Sequence, residues 1–295
     1  MTPTITISDL HLSYGRTTAL DGITLTVNGP RIHGLVGRNG SGKTSLLSVI
    51  AGFRQASAGS VELDGQPVFE NATALRRLCL IRGSGDSVDH DWPTNRVRHA
   101  LRLAADLRPN WDDDYAQALV DRFQLDPRQR LTELSTGQRS AVGVVLGLAA
   151  RAPVTIFDES YLGMDAPSRY AFYDELLTDY MEHPRTVIVS SHLVDEVSRL
   201  LESVILLDHG RLLLHEDAEA LRGRGAAITG EHGAVAEFVA DRTVLRQQHL
   251  GRTTSAVVYG ELGPTDRDRA AAAGLDVDAV PLQDLFVHLT AGADQ

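Results

Sequence analysis

The sequence predicts an α/β fold. It consists of a parallel sheet covered by helices, with an antiparallel β subdomain, a helical insert and a small C-terminal α/β domain. Three observations predict it. Short apolar runs at residues 32–36, 154–157 and 186–189 alternate with helical patterns, as parallel strands buried on both faces require. The first 30 residues alternate apolar with polar positions in strand fashion instead. At Gly223-Arg-Gly-Ala the texture changes, and a shorter series of strands and helices begins.

In chain order, Ile5, Ile7 and residues 20–27 mark the antiparallel strands, with turns expected at Tyr14-Gly15 and Asp21-Gly22. A strand at 32–36 runs into a glycine loop, and a helix follows over 44–50. Residues 60–63 and Pro67-Val68 flank Asp64-Gly65 as a hairpin. Residues 84–150 read as a helical insert, with clear helices at 100–107 and 115–123. The strand at 154–157, a helix at 168–181 and the strand at 186–189 complete the first domain, residues 1–222. Residues 223–295 then read strand 227–229, helix 234–239, strands 244–249 and 255–259, helix 266–273, strand 276–280 and helix 283–290. That order suggests a ferredoxin-like sandwich.

Composition narrows the function. A formal net charge of −11 argues against wholesale nucleic-acid binding, which needs a basic face. The single cysteine, Cys79, has no internal partner, consistent with a reducing cytoplasm. The N-terminus lacks a signal pattern, and the longest run of small apolar residues, 141–150, is far short of the ~18 needed to span a bilayer. If the protein serves a membrane, the expectation is that it does so through a partner.

Residues 37–44, Gly-Arg-Asn-Gly-Ser-Gly-Lys-Thr, match G-x-x-x-x-G-K-[ST] at every fixed position, with a strand before and a helix after. This pattern is a phosphate cradle, the P-loop of a nucleoside triphosphatase sheet. Gly37, Gly40 and Gly42 free the loop to aim backbone N–H groups, including those of Arg38, Asn39 and Ser41, at phosphate oxygens. The helix beginning at Thr44 and Ser45 adds its positive dipole end. Lys43 is the only lysine; the other basic residues are arginines. A compact ammonium can reach phosphates from inside a tight loop, whereas a planar guanidinium needs more room and a fork geometry. Thr44 offers a hydroxyl to Mg2+.

Further along, Leu134-Ser-Thr-Gly-Gln138 opens an apolar helical run, placing Ser135 and the N–H of Gly137 at a helix N-terminus, a second anion site. The strand at 154–157 runs into Asp158-Glu159. Asp158 is placed to hold Mg2+ through water, and Glu159 to accept a proton from an attacking water. Leu162-Gly-Met-Asp165 follows directly, and the strand at 186–191 closes on His192. Asp112-Asp-Asp114 reads as the acidic start of a helix, and Trp92 and Trp111 lie in the insert.

In this order and spacing, the motifs resemble those of the ATP-binding subunit of an ABC transporter, and the resemblance covers residues 1–222. It implies that residues 37–44 form the Walker A loop, that Ser135, Gly137 and Gln138 form the core of the family signature, and that Asp158 and Glu159 end Walker B. It also implies that Asp165 belongs to the D-loop, that His192 is the switch histidine and that Tyr14 stacks on adenine. The implied cofactors are ATP and Mg2+. One set of motifs implies a homo- or heterodimer, each ATP lying between the Walker A loop of one chain and the signature of the other. A separate transmembrane permease subunit is the implied partner, with no nucleic acid, and the chain would be cytoplasmic and peripheral on the inner face of the cell membrane. The C-terminal extension resembles tails on exporter subunits, which favours export over import. The alternative is a soluble or regulatory ABC-type ATPase with slow turnover.

Three positions depart from the family pattern. Thr136 stands where glycine is common, and Ser160 where proline often follows the glutamate. Where a glutamine ligand to Mg2+ is expected, the sequence reads Leu78-Cys-Leu-Ile-Arg-Gly-Ser-Gly85. Arg82 is the nearest match, with Ser84 and Asp86 as alternatives. A guanidinium has no acceptor and cannot ligate Mg2+.

Overall fold

The computed structural model describes residues 3–83 and 96–292. Contacts divide the chain into two units, the first Met1–His192 with Ile205–His215, the second Leu193–Val204 with Glu216–Gln295.

The first unit begins with β1 (Thr4–Tyr14) and β2 (Thr17–Asn28), an antiparallel pair, joined in one sheet by β4 (Ala58–Leu63) and β5 (Gln66–Pro67) in the order β2-β1-β4-β5. The expected hairpin at Asp64-Gly65 is the β4–β5 turn, with Leu63 opposite Gln66. Asp21-Gly22 does not end a strand: β2 runs through it. Gly22 takes φ 70°, and the β1–β2 register shifts between Ile7 and Leu10 and again before Leu12. A glycine at positive φ inside a strand marks an irregularity as readily as a turn.

The second sheet has six strands in the order β10-β9-β3-β8-β7-β6. These are β3 (Arg31–Val36), β6 (Leu78–Arg82), β7 (Val154–Asp158), β8 (Thr186–Ser191), β9 (Ser203–Asp208) and β10 (Arg211–Asp217). The pairs β3–β8, β7–β8 and β6–β7 are parallel, so β3, β8, β7 and β6 end on the same edge. β7 and β8 are buried at every position, as strands covered on both faces are, and Thr155, Asp158, Thr186, Ser190 and Ser191 are buried with their apolar neighbours.

Helix α1 (Lys43–Ile50) leaves β3 through the glycine loop. Its Leu46, Leu47 and Ile50 join Ile5, Leu20 and Ile188 in one core. Burying a side chain of this size stabilises by about 1.5–3 kcal/mol. α2 (Ala72–Leu75) is a single turn capped by Asn71. The described part of the insert holds α3 (Val97–Leu107), α4 (Asp113–Arg122) and α5 (Thr136–Ala149), and α6 (Ala166–Glu182) follows β7. Asp112 caps α4 by accepting from Tyr115 N at 2.8 Å, as the acidic triplet predicts, and also pairs with Arg151 at 2.7 Å. Trp111 Nε1 donates to Asp113 at 2.8 Å. Trp92, Ser84 and Asp86 lie outside the described residues.

The second unit contains the short α7 (Val194–Val197) and then α8 (Ala218–Arg222), β11 (Gly225–Glu231), α9 (His232–Val239), β12 (Thr243–Leu250), β13 (Thr253–Tyr259), α10 (Pro264–Ala272), β14 (Asp276–Ala279) and α11 (Leu282–Gly292). Its sheet order is β12-β13-β11-β14, with neighbours antiparallel. A βαββαβ order with this pairing is the ferredoxin-like arrangement expected from the sequence. Ile228, Val235, Phe238, Val258 and Leu275 form its core. Within this unit α11 touches both α7 and β12.

Candidate functional site

The glycine loop is shaped by three positive-φ glycines, Gly37 (153°), Gly40 (81°) and Gly42 (100°). A side chain at Gly37 would place Cβ 2.3 Å from the Leu207 carbonyl oxygen, and one at Gly42 would meet that of Ala19 at 2.7 Å. The loop is therefore closed to any residue with a Cβ at those two points. Lys43 is 5% exposed, and its Nζ donates to the carbonyls of Gly37 at 2.8 Å and Arg38 at 3.2 Å. Burial pushes its pKa down, while the Glu159 and Asp158 carboxylates hold it up. Ser41 Oγ is buried with no hydrogen-bond partner among the described residues.

Two cavities, of about 430 and 500 Å3, share Tyr14, Thr44 and Glu159 in their walls. The smaller is also lined by Asn39, Gly40, Gly42, Lys43 and Ser45, the larger by Ser48, Phe53, Arg54, Arg82, Asp158 and Leu162. Tyr14 is largely exposed at the end of β1; its hydroxyl lies 3.4 Å from Ser45 Oγ, and the Arg54 guanidinium sits over its ring at 4.9 Å.

Asp158 and Glu159 end β7. Asp158 Oδ1 accepts from Ser190 Oγ at 2.5 Å, across the β7–β8 pair in which the two residues are in register. Glu159 has φ 48°, a strained value for glutamate. Its backbone N–H is held by Ser190 Oγ at 3.1 Å and its Oε1 lies 3.8 Å from Lys43 Nζ and 3.4 Å from His192 Nδ1. Gly83 passes so close that an added Cβ would lie 1.7 Å from the Glu159 carbonyl oxygen. Ser160 donates to the Ile81 carbonyl at 3.0 Å, so the hydroxyl standing in for proline is satisfied in its buried position.

Arg82 ends β6 opposite Asp158 and faces the larger cavity. Its guanidinium donates to Ser48 Oγ at 2.9 Å and lies 5.2 Å from the Phe53 ring centre. Ser48 in turn donates to the Thr44 carbonyl at 2.6 Å.

The remaining candidates stand apart from these cavities. Ser135 caps α5: its Oγ accepts from Gln138 N at 3.2 Å and Gln138 Oε1 accepts from Ser135 N at 3.0 Å, a capping box. Asp165 caps α6 by accepting from Ser168 N at 2.9 Å, and its hydrogen bonds with Ser168 lower its pKa. A Cβ on Gly137 would lie 2.4 Å from the Gly163 carbonyl oxygen, and one on Gly163 would meet Thr136 Cγ2 at 2.7 Å. Thr136 thus packs where the loop before Asp165 turns. Ser135, Gly137, Gln138 and Asp165 line neither cavity.

Sequence reasoning missed four neighbours of the site: Ser48, Arg54, Tyr161 and Ser190. Ser48 is one helical turn beyond Thr44, and Ser190 belongs to the Ser190-Ser191-His192 run that closes β8. Those spacings were the available signal.

A glycine cradle with a buried lysine, a strand ending in two carboxylates and a histidine beside them define a P-loop nucleotide-binding domain. Residues 20–161 match the family model described as ABC transporter. The thiamine import ATP-binding protein ThiQ of Rhizobium meliloti is 30% identical over 228 residues, covering 75% of this chain and 92% of that protein. The daunorubicin resistance ATP-binding protein DrrA3 of Streptomyces coeruleorubidus is 25% identical over 315 residues, covering 97% of this chain and 95% of the relative. A solved ATP-binding subunit of an ABC transporter shares the fold, with a TM-score of 0.65 and 21% identity over 74% of this chain and 91% of its own. The chain belongs to the ABC transporter family, as an ATP-binding subunit of a transporter, and is an ATPase.

Proposed function

We propose that this chain binds Mg-ATP against the Lys43 cradle, hydrolyses it with Glu159 as proton acceptor, and so powers a separate membrane-embedded subunit, in the direction of export. The observation that carries the reading is the gathering of Lys43, Thr44, Asp158 and Glu159 around linked cavities, with His192 beside Glu159. Thr44 and Asp158 offer the hard oxygen ligands that suit Mg2+, which would neutralise phosphate charge there. Lys43, already inside the loop, shifts from the Gly37 and Arg38 carbonyls to the β- and γ-phosphates. Glu159 takes the proton of the attacking water, and His192 donates to the γ-phosphate. Gly37, Arg38, Asn39, Gly40, Ser41 and Gly42 supply backbone N–H groups, and Tyr14 and Ser45 flank the nucleotide.

Ser135, Gly137, Gln138 and Asp165 would complete the site on a second chain, because they stand outside the cavities that hold Lys43. Among the described residues no helix is long and apolar enough to cross a membrane, which supports a separate permease and a peripheral position on the inner membrane face. For export we point to the daunorubicin resistance relative, which aligns over 97% of this chain, against 85% for the mycobactin import relative and 75% for the thiamine import relative. We take residues 1–222 as the ATPase domain and residues 223–295 as an accessory domain.

Arg82 favours a second reading, in which turnover is slow and binding itself is the signal. It stands at the Mg2+ side of the cavity and offers donors where a ligand needs acceptors.

Glu159→Gln tests the main reading. With Mg-ATP the variant should form a stable dimer of doubled mass, and hydrolysis should fall at least tenfold, about 1.4 kcal/mol of barrier. A monomer with undiminished hydrolysis overturns it. Vesicles containing the copurifying membrane subunit decide direction by the side on which substrate accumulates.

A further inference from the structure

We infer that Tyr161 is a positioning residue for His192: its hydroxyl fixes the imidazole as the neutral tautomer carrying its proton on Nε2. The inference rests on the proposed contact between His192 and the γ-phosphate. Tyr161 follows Glu159 by two residues and is 2% exposed. Among the described residues, groups on the segment that closes β8 reach its hydroxyl oxygen. Ser191 Oγ lies at 3.2 Å, the His192 backbone N at 3.3 Å and His192 Nδ1 at 3.1 Å.

A phenol has one proton to donate and lone pairs to accept with. The backbone N–H of His192 can only donate, and the Ser191 hydroxyl donates as well. These two donors occupy the oxygen, so the third contact takes the phenol's own proton. Nδ1 is therefore an acceptor, and in a neutral imidazole the proton then resides on Nε2. Glu159 Oε1 is the other group near Nδ1, at 3.4 Å, beyond the usual range of about 2.7–3.2 Å for N–H···O. The rings of Tyr161 and His192 sit 5.9 Å apart at 48°, so the hydroxyl, not a stacked face, makes the contact.

The consequence is chemical. An Nε2–H donates to an anionic phosphate oxygen. The other tautomer would aim a lone pair at the same oxygen and repel it. Tyr161 thus decides whether His192 attracts or opposes the γ-phosphate, without touching nucleotide itself. It also links the loop after Glu159 to the end of β8, so that the proton acceptor and the phosphate sensor are set by one side chain.

Tyr161→Phe tests this, because it keeps the ring and removes the hydroxyl. The full-length chain, with 15N-labelled histidine at about pH 8 where imidazole is neutral, is read by long-range proton–nitrogen correlation. His192→Ala identifies the His192 signals. In the native chain Nδ1 should be the bare nitrogen and Nε2 the protonated one. In Tyr161→Phe the two forms should mix, and kcat should fall about five- to tenfold, the worth of one hydrogen bond, with KM within about twofold. Ser191→Ala is the second variant: it frees one lone pair of the phenol, lets an Nδ1–H donate there, and should also mix the tautomers. Melting temperature follows folding in each case. A native chain protonated on Nδ1, or a tautomer unmoved in both variants, overturns the inference. If His192→Ala hydrolyses ATP at the native rate, the phosphate contact of His192 falls instead, while the tautomer spectra still decide the part played by Tyr161.

Discussion

Lys43 Nζ stands 3.8 Å from Glu159 Oε1, with the ammonium 5% and the carboxylate side chain 21% exposed. Among the described residues, the carboxylate within 4 Å of the buried ammonium is the one proposed to receive the catalytic proton, with Asp158 adding to the same field. On the proposed roles, an arriving triphosphate would compete for Lys43 and release Glu159 to water. That exchange would couple binding to chemistry through this pair.

Lys43→Arg should therefore weaken nucleotide binding although charge is kept. The ammonium is wedged between the Gly37 and Arg38 carbonyls at 2.8 and 3.2 Å, and the loop is closed on both sides by glycines that admit no Cβ. A guanidinium cannot fold into that space and still reach two phosphates. ATP affinity by direct titration should drop at least about tenfold, or 1.4 kcal/mol. Unchanged affinity would show that the loop tolerates either cation.

Gly83→Ala should cost stability and rate together. Its Cβ would lie 1.7 Å from the Glu159 carbonyl oxygen, where no side chain can give way. Overpacking of this kind costs about 1–3 kcal/mol, sometimes more. Because the displaced backbone carries Glu159, hydrolysis should fall even in the fraction that remains folded. Chemical denaturation and turnover per folded molecule measure the two effects separately.

Arg82→Gln should speed hydrolysis. The native guanidinium donates to Ser48 Oγ and presents no acceptor toward Thr44 or Asp158. A glutamine there supplies one. Turnover at saturating Mg-ATP should rise about threefold or more, a barrier change near 0.65 kcal/mol, with and without the membrane partner. An unchanged rate in both conditions would remove Arg82 from the chemistry.

Asp64 gives the first unit an acid-sensitive fastening. Burial opposes its ionisation, but the Thr4 N–H at 2.8 Å and the Arg77 guanidinium at 2.6 Å outweigh it, and its pKa is lowered. A carboxylate with a folded pKa below its unfolded value of about 3.9 contributes fully above that pH. The contribution is lost as pH falls through the folded pKa. Asp64→Asn, which tolerates the φ of 52° at this turn, should melt below the native chain at pH 7. The gap should narrow as pH falls below the unfolded pKa. A gap that persists in acid would assign the effect to packing.

What could be read from the sequence follows from how locally each feature is determined. The cradle is legible because its backbone needs glycine and lysine at fixed spacing. The second sheet's buried strands are legible because burial on both faces favours short, mostly apolar runs, as at Ile156-Phe157 in β7 and residues 187–189 in β8. The second unit's βαββαβ order could be written down because glycines at positive φ, Gly251, Gly260 and Gly274, set off its short elements. Asp21-Gly22 misled because the same dipeptide serves a turn or a strand irregularity, and only pairing decides. His192 was legible at the end of its strand, but its contact with Tyr161 escaped because the two are 31 residues apart and meet only across the β7–β8 pair. Nothing local marks residues 193–204 as part of the second unit, since their partners come later in the chain.

That late arrival has a consequence for how the molecule is made. The segment Leu193–Val204 leaves the ribosome before Glu216–Gln295, the stretch it packs with. At translation rates of about 5–20 residues per second, it waits roughly 4–16 s with Val194, Val197 and Leu200 uncovered. Its neighbour upstream, His192, already belongs to the first unit. The second unit is thus stitched through the chain at 192/193, 204/205 and 215/216, not hung on its end. A stop codon anywhere after Glu216 does not trim an ornament. It leaves an orphaned stretch of apolar chain tethered to His192, and gene shortening at this end is a route to misassembly.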